Sequence, residues 1–128
     1  MAKSTPIDVR DSIDKLEFLA DRTPEAHGSG SETFFARLSD YRNGGVFVSY
    51  WGGCGEWERH PNGDEIVMVI EGEASVFLIQ DGEETKQSLS DGQLIVIPEN
   101  TWHRIESARV KILTVTPRPT DHQVEFPV

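Results

Sequence analysis

Cysteine, long apolar runs and basic residues are all scarce in this sequence. It has one cysteine, Cys54, among 128 residues and cannot form an internal disulfide, which favours a reducing cytoplasmic location. It has no apolar run near the roughly 20 residues of a membrane-spanning helix and no signal-peptide pattern. Its 12 basic and 22 acidic residues give a net charge of −10, which repels phosphate backbones. We therefore expect no membrane or nucleic-acid partner.

The second feature is a series of short strands that begins at Glu32. Runs rich in β-branched and aromatic residues, such as 46–51 and 65–70, alternate with glycine-containing turns. Many short, evenly spaced strands are typical of an all-β barrel or sandwich. Upstream, residues 11–20 carry apolar side chains at helical spacing, which predicts one short amphipathic helix before a loop at 28–31.

A turn at Asn62-Gly63 organises the most interesting polar residues. It is the strongest hairpin signal in the chain, because both central residues of a type I′ turn need positive φ. In a two-residue loop, His60 lies opposite Glu65, with Cβ atoms about 4.5–5.5 Å apart. Strand alternation places Glu58 on the face of His60. One imidazole and two carboxylates then converge, and such nitrogen and oxygen donors suit Fe(II), Mn(II), Zn(II) or Ni(II).

A second segment offers one more ligand. Gly92 begins a strand, residues 98–101 turn it back, and His103 comes early on the return. His103 completes the set if the two hairpins face each other across a barrel. Glu56 lies on the same strand face as Glu58, one repeat further out, and is the alternative ligand.

The spacing of these residues resembles the first sequence motif of the cupin superfamily. That motif is Gly, five residues, His-x-His, three or four residues, Glu, six residues, Gly. This chain has the matching residues at Gly52, Glu58-Arg59-His60, Glu65 and Gly72. The spacing is intact throughout, and Glu58 stands where the first histidine of the motif would be.

The second cupin motif is also present. It reads Gly, five residues, Pro-x-Gly, two residues, His, three residues, Asn. This chain has the matching positions at Gly92, Pro98-Glu99-Asn100, His103 and Ser107. Asn100 replaces a glycine, which is a mild change because asparagine tolerates the left-handed conformation of a turn. Ser107 replaces the final asparagine.

The resemblance implies an all-β fold, a double-stranded β-helix (cupin or jelly-roll) barrel over residues 32–117. A short N-terminal helix and loop at 1–31 belong to the same domain, and a tail follows at 118–128. The resemblance and the hairpin register together predict one divalent metal ion (Fe, Mn, Zn or Ni). The predicted ligands are Glu58, His60, Glu65 and His103.

The predicted function is that of a metal-dependent enzyme, an oxidoreductase, isomerase or lyase acting on a small organic molecule. Glu56 is the candidate for moving a proton in the reaction. A non-catalytic cupin that binds or senses a metal or a small molecule is the alternative, because this fold serves both purposes. The absence of a Gly-x-Ser-x-Gly motif disfavours a nucleophilic hydrolase.

Several expectations concern the surface. The strand 65–70 is apolar on both faces, so either the N-terminal helix or another subunit must cover its outer face, and we expect a homodimer. Alternation directs Arg104 away from the cavity. His27, in a loop, and His122, in the tail, are expected to be solvated. The alternating apolar residues after Pro119 can add an edge strand to this chain or to a partner.

Overall fold

A computed structural model describes residues 4–25 and 33–127. Within these ranges it has one short helix and nine strands, which confirms the all-β fold class. The elements are α1 (Val9–Asp14), β1 (Leu19–Arg22), β2 (Phe35–Tyr41), β3 (Gly44–Cys54), β4 (Trp57–Arg59), β5 (Glu65–Gln80), β6 (Glu83–Ser90), β7 (Leu94–Ile97), β8 (His103–Pro117) and β9 (Asp121–Gln123). The predicted loop at 28–31 lies outside the described residues. Among the described residues, no helix has the length and apolar character required to span a bilayer.

Two long antiparallel strands, β5 and β8, build the barrel. The first part of β5 also pairs with β7, and its second part pairs with β6. The other side of β8 pairs with β3, which in turn pairs with β1 and β2. Register shifts between Val69 and Glu71 and between Glu73 and Ser75 bend β5. The strand does not end at residue 70, as predicted, but continues to Gln80. This arrangement is the predicted jelly-roll barrel.

The barrel interior is filled by alternate side chains of these strands. Val67, Val69 and Val76 are completely buried, and Trp51 is 2% exposed. The buried core comprises Trp51, Val67, Val69, Ala74, Val76, Leu78, Leu89, Ile97, Val110 and Ile112. Burial of apolar area contributes about 25 cal/mol per Å². Because this apolar layer stabilises the fold, we expect substitutions of the polar residues at the barrel mouth to leave the protein folded.

The N-terminal helix is shorter than predicted. Its N-cap residue, Asp8, accepts a hydrogen bond from a backbone amide of the first turn, and Ile13 is buried. The predicted continuation of the helix as far as Ala20 is wrong, because Leu19 pairs with Trp51 at the start of β1. Pairing with β3 satisfies the backbone of this segment and overrides its helical spacing.

The C-terminal segment adds a strand to this same chain. β9 pairs antiparallel with β4, with Trp57 opposite Gln123 and Arg59 opposite Asp121. The Nε of Arg59 donates to Asp121 Oδ2 at 2.8 Å. The ring of Phe126 packs edge-on against Trp57, with centroids 5.4 Å apart. The tail thereby covers β4, the strand that contains Glu58.

Two glycines with left-handed backbone test the packing of the long strands. Gly72 has φ of +103°, and a Cβ there would lie 2.5 Å from the carbonyl oxygen of Arg109. Gly82, in the β5–β6 turn, has φ of +76° and nothing within 4 Å of such a Cβ. We expect Gly82→Ala to lower the free energy of unfolding by about 1–2 kcal/mol through backbone strain. Gly72→Ala should cost more than about 3 kcal/mol, because the clash adds to the strain.

Chemical denaturation of the two glycine variants measures this difference. Both substitutions add the same methyl group at positive φ, so Gly82→Ala controls for strain. Equal losses of stability would show that the contact of Gly72 with the β8 backbone is unimportant.

Candidate metal centre

Three strands bring four polar side chains to one end of the barrel. Glu58, in the middle of β4, pairs directly with His103, the first residue of β8. Glu65 is the first residue of β5, and His60 follows the last residue of β4. The four residues predicted as ligands therefore form one cluster.

The type I′ hairpin predicted at Asn62-Gly63 is absent, although the residues that it was expected to bring together do meet. β4 pairs with β8 and β9, not with β5, and neither Asn62 nor Gly63 has positive φ. The turn at residues 98–101 holds the segment around His60 instead, because the backbone amide of Asn100 donates to the carbonyl of His60 at 2.9 Å. Asn100 itself has φ of 59°, which confirms its predicted left-handed conformation.

The candidate ligand atoms are close together. Nε2 of His103 lies 2.9 Å from Glu65 Oε1, and Nε2 of His60 lies 3.4 Å from the same oxygen. Oε2 of Glu58 is 3.8 Å from His60 Nε2. Each residue offers one ligand atom, and these atoms all lie within 4.8 Å of one another. The two histidines and Glu65 are buried, whereas the side chain of Glu58 is 28% exposed and lies nearest to solvent.

A polar contact at Nδ1 orients each of the two imidazole rings. Nδ1 of His103 lies 2.9 Å from the carbonyl oxygen of Thr101, and Nδ1 of His60 lies 3.0 Å from the hydroxyl of Thr120. A carbonyl can only accept, so Nδ1 of His103 donates and its neutral ring presents the Nε2 lone pair. Hydrogen bonds of this kind commonly orient histidines that bind metals.

The donor set fits a divalent cation. Nε2 of His60 is buried and has no hydrogen-bond partner among the described residues. A buried polar nitrogen without a partner is costly, and a cation in the cluster would satisfy it. The other oxygen of Glu65 accepts a hydrogen bond from Thr116 Oγ1 at 2.6 Å, which leaves Oε1 directed at the two histidines.

The electrostatics of the cluster follow from burial and from these contacts. Burial opposes ionisation of Glu65, but the hydrogen bond with His103 and the proximity of His60 prevail and lower its pKa to about 2. Burial also disfavours the charged form of His103, but its hydrogen bond with Glu65 prevails and raises the His103 pKa. Burial raises the pKa of Glu58, and repulsion by Glu65 adds to this rise. Glu65 thus stabilises the protonated imidazole of His103, so protons and a metal ion would compete for the same Nε2.

Glu56 lies beside this cluster, next to a residue that was expected to be solvated. It is 5% exposed, and its Oε1 lies 2.5 Å from Nδ1 of His122. Strand β9 places His122 opposite Glu58, with 3.8 Å between Nδ1 and Glu58 Oε1. His122 is 43% exposed, as expected for a solvated side chain, although the tail folds back onto β4 and brings it into contact with Glu56. The same expectation for His27 concerns a residue outside the described ranges.

A cavity of about 640 Å³ opens onto the cluster. Its lining combines the polar residues of the cluster with the aromatic rings of Phe34, Phe47 and Trp51. Arg104 borders the cavity, but its guanidinium lies over the rings of Trp57 and Phe77, which are not in the lining, in keeping with the expected outward direction. Arg22 also lines the cavity, which was not expected because its segment was not predicted as a strand.

The fold and the cluster define a small jelly-roll protein with a candidate metal centre in the mouth of its barrel. The family model described as a cupin domain matches residues 47–116, more than half of the chain. The chain belongs to the cupin superfamily.

A curated relative extends this comparison. An uncharacterized protein of Acanthamoeba polyphaga mimivirus is 34% identical over 71 residues, which cover 52% of this chain and 43% of that protein. The match thus spans less than half of that relative. It indicates shared ancestry of the barrel and does not identify a reaction.

Three solved structures resemble the barrel in fold. A cupin-2 domain protein from Shewanella frigidimarina is 22% identical, with a TM-score of 0.56 over 66% of this chain and 79% of that one. An oxalate decarboxylase from Lactobacillus farciminis, in a formate complex, is 19% identical, with a TM-score of 0.56 over 63% and 27% of the two chains. A hydroquinone 1,2-dioxygenase in complex with Cd²⁺ and 4-hydroxybenzonitrile is 20% identical, with a TM-score of 0.54 over 65% and 63%. At such identities the likeness establishes the fold alone.

Proposed function

We propose that Glu58, His60, Glu65 and His103 bind one divalent metal ion and that the protein is a metal-dependent enzyme acting on a small organic molecule. The observation that carries this proposal is the buried Nε2 of His60, which has no hydrogen-bond partner among the described residues and lies 3.4 Å from Glu65 Oε1. A site that serves only to stabilise the fold would be expected to satisfy this nitrogen.

The donor set indicates which ions are suitable. Two imidazoles and two carboxylates are borderline and hard ligands, which favour Fe, Mn, Zn or Ni over a soft ion such as Cu(I). The two carboxylates, Glu58 and Glu65, neutralise the charge of a divalent ion. When bound, the metal would supply Lewis-acid or redox chemistry at a substrate oxygen. Likeness of fold to an oxalate decarboxylase and a hydroquinone dioxygenase is compatible with either.

The chain's own residues have distinct parts in this proposal. Glu56 lies next to the metal cluster and is hydrogen-bonded to His122 at 2.5 Å, so it is held in position to accept or deliver a proton at the substrate. The apolar walls of the cavity exclude water from the bound molecule and strengthen the electrostatic interactions there.

The test combines metal analysis with turnover. The purified protein is loaded with Fe(II), Mn(II), Zn(II) or Ni(II), and its metal content is measured. Substrate loss from a metabolite mixture and oxygen uptake are then followed for the wild type and for Glu56→Gln. Bound metal with turnover that Glu56→Gln abolishes supports the proposal. Bound metal without turnover in any mixture favours the binding or sensing alternative, and no bound metal rejects both the metalloenzyme and a metal sensor.

We also propose a cytoplasmic homodimer, in keeping with the single cysteine and an exposed apolar sheet face. Leu94 and Val96 are 55% and 50% exposed, and they pair with Met68 and Ile66 on β5. These neighbouring side chains form an outer apolar patch that a second copy of the chain can cover.

The mass in solution decides the oligomeric state. We expect a dimer at micromolar concentration, and Val96→Glu should convert most of it to monomer by placing a charge within the apolar patch. Val124→Glu, at a position that is 38% exposed and outside the patch, is the control. A monomeric wild type in light scattering would refute the dimer.

A further inference from the structure

Arg22 reaches the metal cavity from the end of β1. Its guanidinium carbon lies 4.6 Å from the ring centre of Trp51 and 5.8 Å from that of Phe34. Two glycines leave room for Arg22. A Cβ at Gly53 would lie 2.2 Å from the backbone carbonyl oxygen of Arg22, and a Cβ at Gly55 would lie 3.4 Å from its guanidinium carbon. The guanidinium thus lies between the two aromatic rings and the backbone of Gly55.

The charge of Arg22 has no direct counter-ion in the part of the chain that the structure describes. Among the described residues it makes no ion pair within 4.0 Å, and Glu58 and Glu56 attract it only from a distance. Burial lowers its pKa against that attraction. Arginine stays protonated even so, which leaves a partly desolvated cation directed at the cavity.

The other arginine near the cavity is directed elsewhere. The guanidinium of Arg104, next to His103 on β8, lies over the rings of Trp57 and Phe77 at 4.9 and 5.7 Å. Neither ring lines the cavity, so Arg22 is the arginine of the described lining whose guanidinium a ligand can reach.

The charge around Arg22 depends on the metal. Three carboxylates also line the cavity, from Glu56, Glu58 and Glu65. A divalent ion held by Glu58 and Glu65 would offset their two charges, and Glu56 lies against His122. The Arg22 guanidinium is then available to an anionic group of a ligand.

We infer that the ligand of this cavity is a small organic carboxylate whose carboxylate group binds the Arg22 guanidinium and whose apolar part lies along Phe34, Phe47 and Trp51. The inference rests on the proposed function for the identity of the cavity, where a bound metal ion would offset the neighbouring carboxylates. A planar guanidinium held by its neighbours matches the two oxygens of a carboxylate, and charge-assisted bonds of this kind are strong.

Two probe pairs test the inference with the metal-loaded protein. Benzoate is compared with benzamide, and hexanoate with hexanamide, so that each pair differs only in the carboxylate. Isothermal titration measures the affinity of each probe, and metal content is measured on the same samples. We expect at least one carboxylate to bind about 10-fold or more tightly than its amide.

Variants of Arg22 assign that preference. Arg22→Met and Arg22→Gln should each abolish it while metal content stays at the wild-type level. Arg42→Met is the matched control, because it removes the same charge at an exposed residue. No preference in either pair, or an equal preference in both Arg22 variants, overturns the inference. An Arg22-dependent preference in a protein that binds no metal supports it and rejects the proposed function alone.

Discussion

Replacing His103 by alanine is expected to lower the affinity for a divalent metal by at least about 100-fold. Loss of a residue that merely orients a ligand costs 10- to 100-fold, and loss of the ligand itself should cost more. His103 is buried, and its Nε2 lies 2.9 Å from Glu65 Oε1, so water cannot readily replace it with the same geometry. His60→Ala should have a similar effect. Glu58→Ala should have a smaller one, because Glu58 is nearest to solvent.

Metal content at neutral pH and competition with a chelator measure these changes. His122→Ala is the control, because it removes an imidazole close to Glu58 that is outside the four-residue set. Circular dichroism and thermal melting should show that all variants stay folded, since the apolar core is untouched. Full metal occupancy in a folded His103→Ala protein would be incompatible with the proposed centre.

Acid is expected to release the metal through its histidines. The raised pKa of His103 means that protons already compete with the metal at pH 6.5 and above, earlier than for an ordinary histidine. For each histidine proton that the metal must displace, the apparent metal affinity falls about tenfold per pH unit below the pKa of that histidine. From pH 6.5 to 4.5 we therefore expect a loss of about 100-fold or more. Glu65, with a pKa of about 2, stays ionised over this range.

The stability of the metal-free protein should fall as the pH rises, whereas the metal affinity falls as the pH is lowered. The folded pKa of His103 lies above its unfolded value, so its contribution is fully present below about pH 6.5. It is lost as the pH rises through the raised pKa. Melting of the metal-free wild type and of His103→Gln between pH 6 and 9 measures the difference.

The acid release of the metal has its own contradicting outcome. A metal affinity that is constant from pH 6.5 to 4.5 would mean that the histidines are not ligands.

The convergence of the four residues was predictable because it rests on motif spacing, which survives errors in strand pairing. Glu58, His60, Glu65 and His103 all lie in the cluster, although the hairpin that was expected to align them does not form. That hairpin was predicted from a local rule, the preference of an Asn-Gly pair for a type I′ turn. The observed pairing of β4 with β8 joins strands that are distant in the chain, and it overrides this local preference.

The surroundings of the cluster could not be predicted from local patterns. His60 is oriented by Thr120 and Glu65 by Thr116, residues 60 and 51 positions away along the chain. Arg22 reaches the cavity only because its segment pairs with β3 as a strand, which begins at Leu19, where periodicity had predicted the end of a helix. Such contacts depend on the register between distant strands, and a single sequence does not fix that register.

Anomalous X-ray scattering at the metal absorption edge, from crystals grown with Zn(II) or Mn(II), tests the metal centre most directly. We predict one peak at about 2.0–2.3 Å from Nε2 of His60, Nε2 of His103 and one oxygen each of Glu58 and Glu65. The absence of a peak among these four residues, or a peak bound only by Glu56 and His122, would contradict the proposed centre.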